Sequence, residues 1–125
     1  MNSEEELCSN IIAKDLYEKL LSFAILTAEQ DGLNLDYSHE SIKEVEKILT
    51  KIHLHYLDTK DETGLRGIAV GFGVYIAETI RRNTNEGILY TDHKILGEKC
   101  FPFFWKESTL FPYAWCIKRM FDGEG

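Results

Sequence analysis

The sequence predicts an α+β fold: three N-terminal helices with the third buried at the centre, then a small antiparallel sheet, then a C-terminal helix, in a single domain over residues 1–125. Three observations carry this reading. Apolar residues recur at three- and four-residue intervals through the first half of the chain. In a glycine-rich segment, residues 64–83, nearly every position from Leu65 to Ile80 is apolar or glycine, up to a charged end at Glu78, Arg81 and Arg82. After Gly87, short apolar and aromatic runs are separated by turn-forming residues. Helices followed by strands mark the α+β class.

The first helix is expected over residues 3–30. Ser3 and Glu6 have capping-box spacing. Leu7, Ile11, Ile12, Leu16, Leu20, Phe23 and Ala24 form one stripe opposite Lys14, Asp15, Glu18 and Lys19, and Gly32 supplies a C-terminal cap. Ser38 or Ser41 caps the second helix, with Ile42, Val45, Ile48, Leu49 and Ile52 as its buried stripe and an end near His55 or Leu57. Residues 58–64 form a polar loop, and Thr63 is placed to cap the third helix, which runs to Arg82 or Asn83. A helix apolar all round must be wrapped by other elements, so this one belongs at the centre. Strands are expected at 88–91, near 94–96 and at 99–105, the last edge-placed or bulged because Pro102 cannot donate to a ladder. In that last run, Phe101, Phe103 and Trp105 share a buried face. Pro112 opens the final helix and Gly123 stops it, with Trp115, Ile117, Met120 and Phe121 supplying buried positions.

Composition bounds the function. At 125 residues with 44% hydrophobic and 28% charged side chains, the chain is an ordinary folding sequence and disorder is expected only at its extreme ends. No apolar run reaches the roughly 18 residues needed to span a bilayer, so no membrane association is expected. The acidic start lacks the features of a secretory signal, and Cys8, Cys100 and Cys116 are an odd, widely spaced set. Both point to the cytoplasm. Net charge is −7, with 14 acidic and 6 basic side chains in residues 1–62 against 7 and 8 in residues 63–125. Nucleic acid is disfavoured because a polyanion needs a basic footprint. An acidic half instead suits a basic protein partner, with Asp58, Asp61 and Glu62 as contact residues.

The candidate chemistry is sparse. Gly64, Gly67, Gly71 and Gly73 match neither a dinucleotide fingerprint nor a Walker loop, and are read as close-packing devices. Glu78 follows a long apolar run and needs a partner, which Arg81 and Arg82 can supply from three and four residues away. This gives either a helix-end ion pair or one side of a ligand site walled by Tyr75 and Trp115. His53 and His55 point apart on a helix and lack further ligands, so no metal is expected. The cysteines sit in apolar surroundings that disfavour the thiolate. No catalytic residue and no cofactor are assigned.

Residues 64–124 are similar to a group of small bacterial domains of unknown function. The resemblance lies in the glycine-rich helix ending in Ala77-Glu78 with Arg82, and in the late segment from Leu110 through Pro112 to Lys118-Arg119 and Gly123-Glu124. Where this pattern has a tryptophan soon after the arginine helix, Ile88-Leu89-Tyr90 stands here. The resemblance implies a family without an assigned activity, and the small acidic chain is of the type of immunity proteins. The function expected is therefore a non-catalytic cytoplasmic module that binds a basic protein. The alternative is a small-ligand site or minor enzyme around Glu78 and Arg82.

Overall fold

The computed structural model describes residues 3–123; Met1, Asn2, Glu124 and Gly125, and with them the glutamate of the Gly-Glu pair, lie outside the described residues, as does the Ser3 side chain. The order is α1 (Ser3–Leu7), β1 (Cys8–Ile11), α2 (Lys14–Gln30), α3 (His39–Thr59), α4 (Leu65–Thr84), β2 (Ile88–His93), β3 (Phe103–Trp105), β4 (Ser108–Leu110) and α5 (Pro112–Asp122). The fold is α+β, with a four-stranded antiparallel sheet in the order β1-β2-β3-β4. In the helical layer α4 packs between α2 and α5, and α3 packs against α5.

The largest departure from expectation is at the N-terminus. Residues 8–11 leave the helix and pair with β2, Cys8 opposite His93 and Ile11 opposite Tyr90. Asn10 sits in the left-handed region at φ 62°, a conformation asparagine tolerates better than most residues. Ser9 and Asn10 are poor helix-interior residues, so pairing with a strand from far along the chain outweighs a weak local preference. The break rotates the stripe of α2. Leu21, Ala24 and Ala28 are buried, whereas Leu16 and Phe23 are exposed and Ile11 is 65% exposed.

The helix ends follow local chemistry. Gly32 closes α2 in a Schellman arrangement, its N–H donating to Glu29 O while Leu33 N–H donates to Ala28 O. The Ser38 hydroxyl accepts from Ser41 N at 3.2 Å and caps α3, which runs past the expected end to Lys60 in the left-handed region. Thr63 does not cap α4. Its N–H donates to Asp61 Oδ1, and Gly64 at φ 76° takes the cap position.

The sheet region differs in detail. Residues 94–96 are a turn, closed by paired backbone bonds between His93 and Gly97, with Ile95 and Leu96 exposed. The His93 ring explains it: Nδ1 accepts from Ile95 N and Leu96 N and holds the bend. The expected strand at 99–105 shortens to β3, because Lys99 and Phe101 have positive φ. Phe101 and Phe103 are buried as the alternation required, while Trp105 is half-buried. Lys106 and Glu107, both at positive φ, join β3 to β4 as a two-residue turn. That geometry matches the twist of a hairpin, and lacking Asn-Gly it left no sequence signal. α1 packs against β4 and covers the sheet edge there.

Two of the four glycines read as packing devices on α4 prove to be so. A Cβ on Gly73 would lie 2.9 Å from both N and Cα of Tyr113, so the first turn of α5 rests directly on the α4 backbone. A Cβ on Gly71 would meet the Phe23 ring at 3.1 Å. Gly64 serves its cap, and Gly67 faces open space, where nothing requires glycine. The pair Gly73 and Gly67 gives opposite expectations for one substitution. Gly67→Ala should stabilise by up to ~1 kcal/mol through helix propensity. Gly73→Ala should destabilise by about 1–3 kcal/mol, because backbone cannot yield as a side chain can. Urea denaturation of both variants checks this, and equal shifts would remove the close-approach argument.

Candidate functional site

Glu78 lies two turns before the end of α4, where a solvent-facing carboxylate would be unremarkable. Here it is 3% exposed. Burial without partners would cost several kcal/mol, and four donors converge on it. Arg81 donates from Nε to Oε1 at 2.8 Å and from Nη2 to Oε2 at 2.7 Å. Arg82 donates from Nε to Oε2 at 2.7 Å. The Tyr17 hydroxyl, from α2, donates to Oε1. Burial by itself pushes the Glu78 carboxyl up, but the hydrogen bonds from Arg81, Tyr17 and Arg82 outweigh it and hold the pKa at about 2. The same arrangement raises the Tyr17 phenol, first through burial and then through its bond to the carboxylate.

A second layer supports the first. The Arg82 guanidinium stands 3.7 Å from the centroid of the Tyr37 ring, a cation–π contact. Tyr37 stacks on Tyr75 with centroids 5.0 Å apart. The Tyr75 hydroxyl accepts from Tyr37 N at 2.8 Å and lies 2.6 Å from Ser41 Oγ, whose own hydrogen goes to Ser38 O. Tyr75 therefore donates to Ser41, and its hydroxyl is fully used. Asn83 Nδ2 donates to Tyr37 O at 2.9 Å and to Thr79 O at 2.7 Å. The cluster thus joins α2, the α2–α3 connection, the start of α3 and the end of α4.

The structure brings Glu78, Arg81 and Arg82 together and adds Tyr17 and Tyr37, which sequence reasoning did not assign. A signal for Tyr17 existed: it falls in register with Leu21, Ala24 and Ala28, the face of α2 that is buried. Tyr75 is fully buried and bonded within the fold, so it walls no pocket. Trp115 lies on α5 with the Arg119 guanidinium 5.8 Å from its ring, and Arg119 reaches across to Thr50 of α3. Asp58, Asp61 and Glu62 are exposed near the N-terminal end of α4, roughly 20 Å along the helix from Glu78 at 1.5 Å per residue. Asp61 also orders its own loop, and its bonds from Thr63 hold its carboxyl below the usual range.

Chemically, Glu78 is an anchor that is ionised at neutral pH. A carboxylate with a pKa near 2 and no solvent access is a poor general base or acid near neutrality. Both arginines remain about half exposed, at 47% and 48%. Beside Arg81 opens a cleft of about 280 Å³ lined by Ile11, Ile12, Lys14, Tyr17, Gly87, Ile88, Leu89 and Phe103. A second concavity, of about 510 Å³, lies across the Gly87–Ile88 rib and is lined by Glu5, Glu86, Phe104, Lys106 and Glu107.

The remaining candidates have structural roles. Cys116 is fully buried, and burial pushes its thiol up to about 12; burial also raises Cys8 and Cys100. Cys8 is a strand residue, not a helical one as expected. His53 contacts Met120 O at 3.1 Å at the end of α5, where Gly123 passes too close for any Cβ. No group of three or more His, Cys, Asp or Glu residues suited to a metal ion occurs among the described residues. No helix of the described residues is long and apolar enough to cross a membrane. Compared with family models, curated proteins and solved structures, the chain matches none of them significantly.

The anchor makes a pH-dependent contribution of known sign. The folded pKa of Glu78 lies below its unfolded value of about 4.5, so its stabilisation is complete above about pH 4.5 and is lost as pH falls through about 2. Glu78→Gln should cost about 1–3 kcal/mol at pH 7, less than a fully buried pair because the arginines face water. Thermal melts of both proteins across this range test it. The gap in Tm should narrow toward pH 2, and a constant gap would show that the charge is not what stabilises.

Proposed function

We propose that the protein is a non-catalytic binding module that docks a basic protein partner in the concavity at Glu5, Glu86 and Glu107. The observation that carries this reading is the make-up of that surface. Three carboxylates and one lysine, Lys106, surround an apolar floor of Ile88 and Phe104, leaving the hollow acidic on balance. The Tyr90 hydroxyl donates to Glu5 at 3.3 Å, and Trp105 Nε1 donates to Thr84 beside the hollow, so its frame is tied down. An apolar centre with a charged rim is the usual build of a protein interface. The net charge of −7 favours a basic partner and works against nucleic acid.

The three free thiols fit a reducing cytoplasm. Small size, acidity and the resemblance of residues 64–124 to small bacterial domains fit an immunity-type protein that neutralises a basic target. Asp58, Asp61 and Glu62 offer a second acidic surface at the other end of α4. One observation favours a small-ligand reading instead: the cleft beside Arg81.

The test is affinity capture from the native cell at low salt, with three baits. The wild-type protein should retain one basic protein that is released near 0.5 M salt. Glu5→Lys with Glu86→Lys should weaken retention by about tenfold or more, equivalent to ~1.4 kcal/mol. If neutralising Asp58, Asp61 and Glu62 abolishes capture while the Glu5 and Glu86 variant does not, the docking surface is at the wrong end. Retention of no protein by any bait overturns the module reading.

A further inference from the structure

The geometry points to a ligand for the cleft beside Arg81: a small organic carboxylate with an apolar body, such as a short acyl or single-ring acid. This rests on the small-ligand reading above and is independent of protein docking across the rib. The walls come from elements far apart in sequence. β1 leads into Ile12, whose N–H donates to Leu89 O at 3.1 Å, and the exposed Ile11 and the 38% exposed Ile88 stand at the rim. The floor is Phe103. It fits there only because Gly87, at φ 123°, has no side chain: a Cβ would fall 2.2 Å from the ring.

The charge at the mouth has one sign. Lys14 and Arg81 line the cleft, and no carboxylate does. The other principal concavities of the described residues each include acidic side chains: Glu5 and Glu86, Asp15 and Glu18, Glu46, or Asp36 and Glu40. Glu78 lies behind Arg81 and is spent on its four donors, while Arg81 stays 47% exposed. Lys14 has no acceptor among the described residues. It is also the first residue of α2, where Ala13 supplies no capping oxygen and Asp15 is the acidic residue of the first turn. An anion at this mouth would satisfy both.

In a chain of net charge −7, an apolar cleft with only cations at its rim selects for an amphipathic anion. At about 280 Å³ the cleft sits at the small end of ligand sites, which sets the single ring or short chain. The carboxylate would meet Lys14 and the exposed part of Arg81, with the apolar body between Ile12, Leu89 and Phe103.

The experiment is a titration of the isotope-labelled protein with octanoate and phenylacetate, each paired with its neutral amide, and followed by amide chemical shifts. Saturable shifts at Ile12, Gly87, Ile88 and Leu89 are expected, with at least tenfold weaker binding of the amides. Lys14→Ala, a change at an exposed residue, should weaken carboxylate binding at least tenfold while leaving the fold spectrum intact. Equal binding of acid and amide, or no effect of Lys14→Ala, overturns the anion assignment and leaves a neutral-ligand cleft. The absence of cleft shifts with every compound overturns both this inference and the small-ligand reading. Shifts produced only by a peptide with a free apolar C-terminus would overturn the small-molecule assignment in favour of a protein interface.

Discussion

A single buried carboxylate organises one end of this molecule. Glu78 accepts hydrogen bonds from Arg81, Arg82 and Tyr17, and through them reaches three other segments. Two arginines directed at one carboxylate leave the cluster with a net positive charge. That surplus is what faces the cleft. It also draws the Tyr37 ring beneath Arg82 and so positions the chain entering α3. Removing the carboxylate would leave two guanidinium groups in mutual repulsion beside the half-buried phenols of Tyr17 and Tyr37, which is why the cost is not confined to one ion pair.

The glycine-rich helix carries this anchor at the end of its buried middle, in which Ala69, Phe72, Val74, Tyr75 and Ala77 are all buried. α5 rests on Gly73, and the ring of Phe23 lies against Gly71. Such close packing holds the middle of the helix apolar, and charged side chains return at Glu78. The acid is therefore buried by position, since its α-carbon belongs to the last packed turn, and its head group must find donors within reach. The arginines at the next turn satisfy that need and also complement the negative end of the helix dipole.

Two concavities lie on the other side of this anchor. The rib at Gly87–Ile88 separates an acidic hollow from a cationic cleft, although both belong to a chain whose overall charge is strongly negative. Such a division of charge over a few residues is a property of side-chain placement and not of composition. Both surfaces depend on strand β1, which supplies Ile11 to the cleft and carries α1, with Glu5, to the hollow.

Much of the helical layer was legible in the chain. The stripe on α3, the all-apolar character of α4, the proline that opens α5 and the need of Glu78 for Arg81 and Arg82 are all relations between residues at most a few positions apart. Local periodicity reports such relations directly. Strand β1, the Tyr17 partner of Glu78 and the cleft were not legible. Each joins residues 60 to 90 positions apart, and each overrides a weak local preference with a pairing that exists only once the chain has folded. Residues 3–30 have helical spacing throughout, yet residues 8–11 form a strand because β2 presents unpaired backbone groups to them. Sequence alone determined the buried stripe of α3, the buried centre of α4 and which charge could not stand unpaired; tertiary structure decided what they meet and, by breaking the first helix at β1, which face of α2 is buried.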